Sequence, residues 1–465
     1  MKQIVLKIGF MLVVFCLLIG TSNAVTTSMT LHQLPMMTYG TTFYVGGSGP
    51  GNYTKIQDAI DNASDGDTVF VYDDSSPYYE NLRIEKAVSL IGENKDTTVI
   101  DGDGQLSVIL IINADGVTIR GFTIQNSGVL WINHGVDIHS SYNTITDNII
   151  KENTIGIGLY TTDEHSANHN TLSNNIIEKN EDKGILLSQS HYTNITSNTI
   201  SDNFGGLVLA TSYHNTISEN VFVNDGLVLY SSSYPNTLLN NTVNGKPLIC
   251  WSGLSDKILL EDAGQVILIN CNRITVQNQD LSHGSVGLML LNTHNSFLSN
   301  NTLNSNDWYG ILLRYSNGNN LSKNKVSDCS DGIALDVSDE NRIIWNQISL
   351  NTNSGIYLFY SDNNTIVSNS IQKNGGRKWV ESREGLRLRN SSDTSIRNNN
   401  FIRNAFDAYM SGTCLRNQWD GNYWSRPRLL PKMILDRSIR PIFSSLRLNI
   451  DWHPAQEPYD IPGMS

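Results

Sequence analysis

The sequence of 465 residues predicts an all-β protein, a right-handed single-stranded parallel β-helix (a solenoid) with an N-terminal helical cap. Three observations lead to this prediction. A motif of the form Asn-x-Ile-x-x-Asn-x-Ile returns about a dozen times, short apolar stretches alternate within each copy, and an amphipathic helical segment precedes the copies. Because a regular period of this size is typical of stacked repeats, we expect a scaffold whose chemistry depends on the residues that decorate one face.

The motif sets the period of the solenoid. Most steps between copies are 21 to 27 residues, and a longer step separates Asn236 from Asn272. At one coil per copy, residues 41 to 425 would form roughly 16 turns, spaced by about 4.8 Å. The first asparagine of each copy falls at Asn143, Asn170, Asn194, Asn215, Asn236, Asn272, Asn295, Asn320, Asn341 and Asn364.

Within each copy, the alternation of apolar residues predicts strands. Apolar runs of three to five residues, such as the one around Ile157 and Leu159, are too short for helices or for hairpins. Each strand is therefore expected to pair in parallel with its counterpart in the next coil. The chain contains 55 asparagines, which we expect to turn corners in the left-handed conformation and to stack as amide ladders.

The predicted cap comprises residues 54–63. Thr54 and Gln57 fit a capping box in which Thr54 is the N-cap. Apolar residues then follow at helical spacing, at Ile56, Ala59, Ile60 and Ala63. A helix laid over the first coil would cover an otherwise open sheet edge.

The two ends of the chain differ from the repeat, and they suggest three regions. Lys2 and Lys7 precede an apolar run and then Ser22-Asn23-Ala24, which predicts a signal peptide at residues 1–24; an uncleaved anchor is the alternative. The β-helix follows at residues 41–425, and a basic segment and tail at 426–465. No later stretch is long and apolar enough to span a bilayer, so no transmembrane helix is expected in the mature chain. We therefore expect a secreted, extracellular or cell-envelope protein, whose oligomeric state the sequence leaves open.

The charge is uneven along the chain. The net charge is −12, yet residues 373–447 carry 15 Lys or Arg against 6 Asp or Glu. A basic region of this kind can meet an anionic polymer or a membrane surface, or it can be a solvated face. Because no nucleic-acid motif accompanies it, nucleic acid is not an expected partner. Cys250 and Cys271 lie about one coil apart, which leaves a disulfide or two buried thiols as alternatives.

Three sets of residues are candidates for chemistry, each beside a structural alternative. Asp331, Asp336 and Asp339 could form a catalytic carboxylate cluster or a polar turn. Four histidines could bind Zn²⁺ or Cu²⁺ at one corner, or simply lie at exposed corners: His165, His169, His191 and His214. Four tyrosines recur at the close of the Gly-Ile-x-Leu strand and could bind glycans or stack between coils: Tyr160, Tyr230, Tyr315 and Tyr360.

Several segments of the chain resemble one known group of proteins. The segments that carry the resemblance are 44–60, 97–102, 117–124, 243–248, 263–272 and 417–425. They are similar to exported β-helix proteins with a NosD-type domain, within the carbohydrate-binding and sugar-hydrolase (CASH) repeat group. The resemblance implies the fold, but not one activity, because that group includes lyases, epimerases, hydrolases and non-enzymatic surface proteins. An acidic segment of many NosD-type chains that looks able to bind calcium is replaced here by Arg426-Pro-Arg-Leu-Leu, and no copper-ligand motif is matched.

These observations support three hypotheses about function. The first is a non-enzymatic protein that binds an extracellular or cell-envelope polysaccharide or forms part of an envelope layer. The second is a polysaccharide-active enzyme of lyase or glycoside hydrolase type. The third is a NosD-like periplasmic accessory protein for copper. No cofactor is expected under the first two hypotheses, whereas a metal ion would belong to the third.

Overall fold

The computed structural model describes residues 40–230, 233–376, 383–436 and 449–461, and the predicted signal peptide lies outside these ranges. The described chain is an all-β parallel solenoid of about 16 turns, as the motif predicts. Its described part contains one short helix, α1 (Ile56–Asn62), which packs against the first strands. The hand of the coil and the capping role of α1 stay predictions.

Residues 42–243 form the N-terminal stack, in which each turn adds one strand to each of three parallel sheets. Sheet A contains β1 (Thr42–Val45), β2 (Thr68–Val71), β5 (Ser89–Gly92), β8 (Thr118–Arg120), β11 (Thr144–Thr146), β14 (Thr171–Ser173), β17 (Asn194–Thr196), β20 (Thr216–Ser218) and β23 (Thr237–Leu239). Sheet B contains β3 (Tyr78–Tyr79), β6 (Val99–Asp101), β9 (Thr123–Gln125), β12 (Ile149–Lys151), β15 (Ile176–Glu178), β18 (Thr199–Ser201), β21 (Val221–Val223) and β24 (Thr242–Val243). Sheet C contains β4 (Leu82–Ile84), β7 (Ile109–Ile112), β10 (His134–His139), β13 (Ile155–Tyr160), β16 (Lys183–Ser188), β19 (Gly205–Ala210) and β22 (Leu227–Leu229).

Residues 246–436 form the C-terminal stack, again with three parallel sheets. Sheet D contains β25 (Lys246–Ser252), β26 (Gln265–Ile269), β28 (Val286–Leu291), β31 (Tyr309–Arg314), β34 (Asp331–Asp336), β37 (Ile356–Phe359), β40 (Glu384–Arg389), β43 (Phe406–Ser411) and β47 (Leu435–Asp436). Sheet E contains β27 (Thr275–Gln277), β29 (Phe297–Ser299), β32 (Asn320–Ser322), β35 (Arg342–Ile344), β38 (Thr365–Val367), β41 (Ser395–Arg397) and β44 (Gln418–Asp420). Sheet F contains β30 (Thr302–Asn304), β33 (Lys325–Ser327), β36 (Gln347–Ser349), β39 (Ser370–Gln372), β42 (Asn400–Ile402) and β45 (Tyr423–Trp424), and a separate antiparallel pair joins β46 (Lys432–Met433) to β48 (Ile450–Asp451).

The two stacks are joined by a tight hairpin. After β24 the chain turns through Asn244 and Gly245, both with positive φ (50° and 77°), and β25 pairs antiparallel to β24. A two-residue Asn-Gly turn is the preferred connection of such a hairpin, because both central residues must adopt positive φ. The hairpin ends the parallel growth of the first stack, and β25 begins sheet D. Each stack consequently has its own apolar core.

Buried asparagines form ladders along both stacks, as the sequence predicts. The side-chain oxygen of Asn175 accepts hydrogen bonds from the backbone N–H and the side-chain amide of Asn148, at 3.1 and 3.2 Å. This contact repeats through Asn148, Asn175, Asn198, Asn220 and Asn241 in the first stack and through Asn301, Asn324, Asn346, Asn369, Asn399 and Asn422 in the second. Each ladder satisfies buried polar groups at a corner where the sheets do not.

The expectation that these asparagines adopt the left-handed conformation is wrong for the ladder positions. The residue with positive φ is the one before each ladder asparagine, and its identity varies: Asp147, Asn174, Ser197, Glu219 and Asn240. The repeated asparagine is therefore explained by its amide, which donates and accepts at once, and not by its backbone conformation.

The predicted capping box of α1 is also wrong. The N-cap is Lys55, and no side chain of its own segment caps the helix. Instead, the Glu80 carboxylate accepts hydrogen bonds from the N–H groups of Ile56 and Gln57, at 2.8 and 3.0 Å. A carboxylate at a helix N-terminus is favoured by the helix dipole. Here the cap comes from the next coil, which local sequence spacing does not reveal.

The cysteines are thiols. Among the described residues, Cys250, Cys271, Cys329 and Cys414 form no disulfide, so the disulfide alternative for Cys250 and Cys271 is not formed. Burial raises the pKa of the Cys250 thiol to about 12. These thiols therefore act as small apolar side chains in the coil stack.

Candidate functional site

The outward surfaces of sheets C and D meet where the two stacks join. Alternate residues of each strand point away from the core, so the register defines a sheet-C face and a sheet-D face. Near the junction both faces are apolar: Val208 and Val228 of sheet C are buried in the same cluster as Ile267, Met289 and Leu312 of sheet D. Farther from the junction, each face becomes polar.

The polar part of the sheet-C face contains a chain of three groups in contact. The Asp137 carboxylate lies 3.4 Å from Nδ1 of His134, and Nε2 of His134 lies 2.8 Å from the hydroxyl of Tyr160. The other carboxylate oxygen of Asp137 lies 3.0 Å from Nε2 of His139. We call Tyr160, His134 and Asp137 the relay. With a proton on Nδ1, His134 faces the carboxylate as a donor and accepts from the phenol at Nε2.

Burial and charge fix the protonation states around the relay. His134 is only 2% exposed. Burial acts to raise the pKa of Asp137, but the imidazoles of His134 and His139 hold it at about 2, so Asp137 is ionised. Burial, together with the charges of Asp137 and Asp182, raises the pKa of Tyr160 above its usual range, so the phenol is neutral. The arrangement can accept a proton at His134 and stabilise the imidazolium with the Asp137 carboxylate.

A glycine makes room for the relay. Gly158 is an outward position of β13, and a Cβ there would lie 2.6 Å from the Tyr160 ring and 2.7 Å from the His134 ring. At the corresponding place in other turns the chain has Leu186 or Val208. The departure from the repeat at Gly158 therefore fits the presence of the two rings.

At the junction itself, charged and aromatic groups line the outward surfaces. The guanidinium of Arg314 donates to the Asp336 carboxylate at 2.7 Å and lies 5.2 Å from the centre of the Tyr230 ring. Lys183 lies 5.8 Å from the centre of the Trp308 ring, next to Gly205. These contacts place cations over ring faces, where each is attracted by the π-system.

Beyond the junction, the sheet-D face alternates arginines with aromatic rings. The guanidinium of Arg387 lies between the rings of Tyr357 and Tyr409, at 5.4 and 5.9 Å from their centres. Arg389 lies 5.3 Å from the centre of the Phe359 ring. The register places these side chains on successive turns, about 4.8 Å apart. The face therefore presents positive charge and flat apolar surface together.

The predicted aspartates are not brought together. Asp331 and Asp336 are the two ends of β34, on the order of 16 Å apart for a strand of that length. Asp336 pairs with Arg314, whereas Asp339 accepts a hydrogen bond from the N–H of Asp362 at 2.7 Å. Asp331 accepts from the N–H of Ser354 at 2.9 Å, and burial raises its pKa. The three carboxylates thus have separate partners.

The predicted histidines alternate with tyrosines instead of facing each other. His169 stacks on Tyr142 and Tyr192 at 5.0 and 4.9 Å, and His214 stacks on Tyr192 at 5.3 Å. His191 lies one position earlier in its turn and contacts Tyr213 at 3.9 Å. His165 lies 6.4 Å from His139. Over the described ranges, no group of three or more His, Cys, Asp or Glu is placed to hold a metal ion.

The predicted tyrosines fall into two pairs at different positions. Tyr160 and Tyr230 lie in the last outward column of sheet C, three turns apart. Tyr315 and Tyr360 follow the ends of β31 and β37, are 48% and 54% exposed, and have positive φ. The expected correspondence is off by one residue, because Tyr160 closes its strand while Tyr315 begins the corner.

Sequence reasoning missed His134, Asp137 and the arginines of sheet D. The signal that could have found them is departure from the repeat. Most copies place small or aliphatic residues at the outward positions, whereas β10 carries Asp137 and His139, and β40 carries Arg387 and Arg389.

Two more carboxyl groups, one fully buried and one half-buried, lie where the stacks meet. Asp225 is fully buried, and its Oδ1 has no hydrogen-bond partner; the same is true of Oδ2 of Asp307. Burial raises the pKa of Asp225 to about 8 and that of Asp307 to about 7. Near neutral pH Asp225 is therefore mostly protonated, whereas Asp307 is about half protonated.

Solved structures of similar fold come from polysaccharide-active proteins. The A-module of mannuronan C-5 epimerase AlgE4 from Azotobacter vinelandii is 14% identical (TM-score 0.29), covering 86% of this chain and 94% of that chain. The catalytic domain of a GH87 alpha-1,3-glucanase is 12% identical (TM-score 0.38; 82% and 69% covered), and pectate lyase Pel9A is 13% identical (TM-score 0.31; 77% and 76% covered). These similarities are too distant to bear on function. No curated protein sequence matches the chain.

Family membership is clearer. Residues 60–247 and 252–429 match the family described as periplasmic copper-binding protein (NosD), and the boundary between the two regions follows the Asn-Gly hairpin. The periplasmic description is consistent with the predicted export. Among the described residues, no helix has the length and apolar character needed to cross a membrane. Since the two matched regions together span most of the chain, this protein belongs to the NosD family.

Proposed function

We propose that this protein is exported to the cell envelope or beyond and binds an anionic polysaccharide along the sheet-D face. The observation that carries the proposal is the column of Tyr357, Arg387 and Tyr409, with Arg389 over Phe359 beside it. The guanidinium groups can donate paired hydrogen bonds to carboxylate or sulfate groups. The rings offer flat apolar surface to the sugar rings.

The spacing of the face suits a polymer better than a small ligand. The cations and rings follow the stack over several turns, and the shape is an open sheet surface. A polymer with a charge on each unit can contact several turns at once, and linked contacts raise the overall affinity. The basic segment of residues 373–447 includes Arg387 and Arg389 of this face, which gives part of its excess positive charge a role.

The test is a binding assay of the mature protein against uronate-containing, sulfated and neutral polysaccharides. We expect binding to the anionic polymers, weakening as salt is raised because screening reduces the charge contacts. The double variant Arg387→Ala, Arg389→Ala should bind at least about tenfold more weakly, which corresponds to about 1.4 kcal/mol.

The matched control is Arg342→Ala, which removes an exposed arginine from sheet E, on another side of the stack. It should leave binding within about twofold of the wild type. Equal losses in both variants would show a general charge effect and contradict a site on the sheet-D face. Binding to neutral polymers alone would also contradict the proposal.

Copper binding, which the family description names, is not what the described residues favour. His134 and His139 direct their ring nitrogens at Asp137, and His169 and His214 are separated by Tyr192. Burial raises the pKa of the Cys250, Cys271 and Cys329 thiols, which disfavours the thiolate form that a metal binds. Calorimetric titration with Cu²⁺ and Zn²⁺ tests this alternative: tight stoichiometric binding abolished by His169→Ala would establish it.

A further inference from the structure

We propose that the relay of Tyr160, His134 and Asp137 is an acid–base site that cleaves a uronate-containing polysaccharide by β-elimination. The inference rests on the proposed binding of an anionic polysaccharide and adds a reaction to it. The geometry carries it: a phenol on an outward face is hydrogen-bonded to a buried imidazole, which faces a buried carboxylate.

The three groups of the relay are arranged so that a proton can pass from the phenol to the imidazole, with the carboxylate behind it. Asp137 orients the imidazole and stabilises its cation, while Nε2 of His134 is left to exchange a proton with the phenol 2.8 Å away. Ser107 donates to Asp137 at 3.3 Å and accepts from the N–H of His134 at 3.1 Å, so the buried end is held in place. Gly158 leaves the space that both rings occupy.

An exposed apolar loop lies directly before β10. Val129, Leu130, Trp131 and Ile132 are 77%, 58%, 74% and 49% exposed. A run of four exposed apolar residues is unusual on a soluble surface and marks an interaction site. Two residues later the chain reaches His134, so the loop is next to the relay along the chain, and the exposed Trp131 ring is available to stack on a sugar.

The chemistry favours elimination over hydrolysis. Glycoside hydrolysis requires two carboxyl groups flanking the bond, whereas the relay offers one carboxylate, Asp137, which is buried and faces two imidazoles. Elimination requires a single group that can take and return a proton. In a uronate, the ring carbon that bears the carboxylate is the acidic position.

The step balances without a co-reactant. The Tyr160 oxygen takes the proton from the carbon bearing the carboxylate, while its own proton passes to Nε2 of His134. The electron pair of the broken C–H bond forms a carbon–carbon double bond, and the bond to the neighbouring glycosidic oxygen breaks with its pair on oxygen. The phenol then gives its proton to that oxygen and recovers one from His134.

The experiment incubates the mature protein with polygalacturonate, polymannuronate, polyguluronate and hyaluronan, and follows the ultraviolet absorbance of the new double bond. Wild-type protein should yield unsaturated oligosaccharides from at least one polymer. Tyr160→Phe should lower kcat at least about 100-fold with KM nearly unchanged, because general acid–base groups contribute factors of that size. His134→Gln should lose a similar factor, since an amide cannot exchange the proton.

Matched measurements separate the relay from folding and from binding. Tyr315→Phe makes the same change at an exposed tyrosine of the other stack and should keep full activity. Melting temperatures of all variants should agree within a few degrees. If the wild type binds a uronate polymer but forms no unsaturated product, the relay proposal is overturned while the proposed function stands. If the wild type binds no anionic polymer, the proposed function fails. Saturated products, or full activity of Tyr160→Phe, would also overturn the relay.

Discussion

At the scale of single residues, Asp225 shows how one substitution in a ladder changes the behaviour of a corner. Its Oδ2 accepts from the backbone N–H and the side-chain amide of Asn203, at 3.1 and 2.7 Å, as an asparagine would. Its Oδ1 takes the place of the amide nitrogen, buried and without a partner. With a pKa of about 8, the carboxyl keeps its proton near neutral pH and resembles an amide. Ionisation of Asp225 would therefore place an unpaired charge in the buried ladder.

Asp225→Asn should stabilise the protein increasingly as pH rises. The folded pKa of about 8 exceeds the unfolded value near 4, so the contribution of the protonated carboxyl is full below pH 4 and is lost as pH rises through about 8. Asparagine cannot lose a proton there. The free energy of unfolding of the variant should exceed that of the wild type by several kcal/mol at pH 9 and by much less at pH 5, by urea denaturation.

Asp103→Asn, at an exposed turn, is the matched control for this measurement. It should change the free energy of unfolding by less than about 0.5 kcal/mol at both pH values. A constant difference between Asp225→Asn and wild type across pH would show that the carboxyl is ionised throughout.

For single residues, the sequence predicts which residue types lie at the corners better than it predicts which side chains contact each other between turns. The predicted histidine column assumes that the first asparagine of every copy occupies the same position in its turn. Asn194 does not, because it lies in β17, opposite Thr171, and Thr193 takes the ladder position. Because of this shift of one residue, Tyr192 and not His191 stacks between His169 and His214. Because the corners tolerate many residue types, only the structure could fix which ring lies on which.

At the scale of elements, the ladders and the short strands depend on each other. Strands of three residues, as in sheets A and E, make few hydrogen bonds of their own, and the corner asparagines continue the pairing between turns. The side-chain oxygen of Asn346 accepts hydrogen bonds from the backbone N–H and the side-chain amide of Asn324. Its amide nitrogen donates to the backbone oxygens of Leu321 and Ile344. Because these partners are buried, they have no water to replace a lost amide.

Asn346→Ala should therefore destabilise the protein by about 3 kcal/mol or more, since each buried donor or acceptor left unsatisfied costs about 1–3 kcal/mol. The loss is measured as a lower urea midpoint. Asn62→Ala removes an exposed asparagine whose amide bonds only within α1, and it should cost less than about 1 kcal/mol. Similar losses in the two variants would contradict a structural role for the ladder.

The elements were the most predictable part of the chain, for a physical reason. Parallel strands repeat the same alternation of apolar and polar residues in every turn, so each copy of the motif supports the same strand prediction. The N-cap of α1 was not predictable, because Glu80 approaches from the following coil. Contacts between turns depend on register, and the motif alone does not fix register to one residue.

At the scale of the whole molecule, the division into two stacks determines where the candidate sites lie. The motif continues across the junction, so the sequence predicts one domain at residues 41–425. Two signs of the break are nevertheless present: the long step from Asn236 to Asn272 and the Asn244-Gly245 pair. The Asn-Gly turn is a strong hairpin signal, and the β24–β25 hairpin shows that the expectation of strands too short for hairpins is wrong at this place. The meeting of the sheet-C and sheet-D faces follows from that turn.

Gln265 closes one edge at the junction and bonds to both stacks. Strand β22 is the last of sheet C, and the Gln265 side chain accepts from the N–H of Leu227 at 2.9 Å and donates to the oxygens of Leu227 and Val286 at 2.7 and 2.8 Å. The amide thus takes the place of the next strand and links both stacks. An unpaired buried edge would otherwise remain.

Gln265→Met, which keeps the length of the side chain and removes its polar atoms, should open this edge. Leu227 would lose both hydrogen-bond partners supplied by Gln265, so we expect amide exchange at Leu227 to accelerate at least about tenfold and stability to fall by about 2–4 kcal/mol. Gln277→Met makes the same change at an exposed residue of sheet E and should alter neither quantity. Unchanged exchange at Leu227 in Gln265→Met would mean that the Gln265 amide does not protect this edge of sheet C. Faster exchange confined to the end of sheet C, with sheets E and F unaffected, would establish that the Gln265 amide closes the open edge of sheet C at the junction.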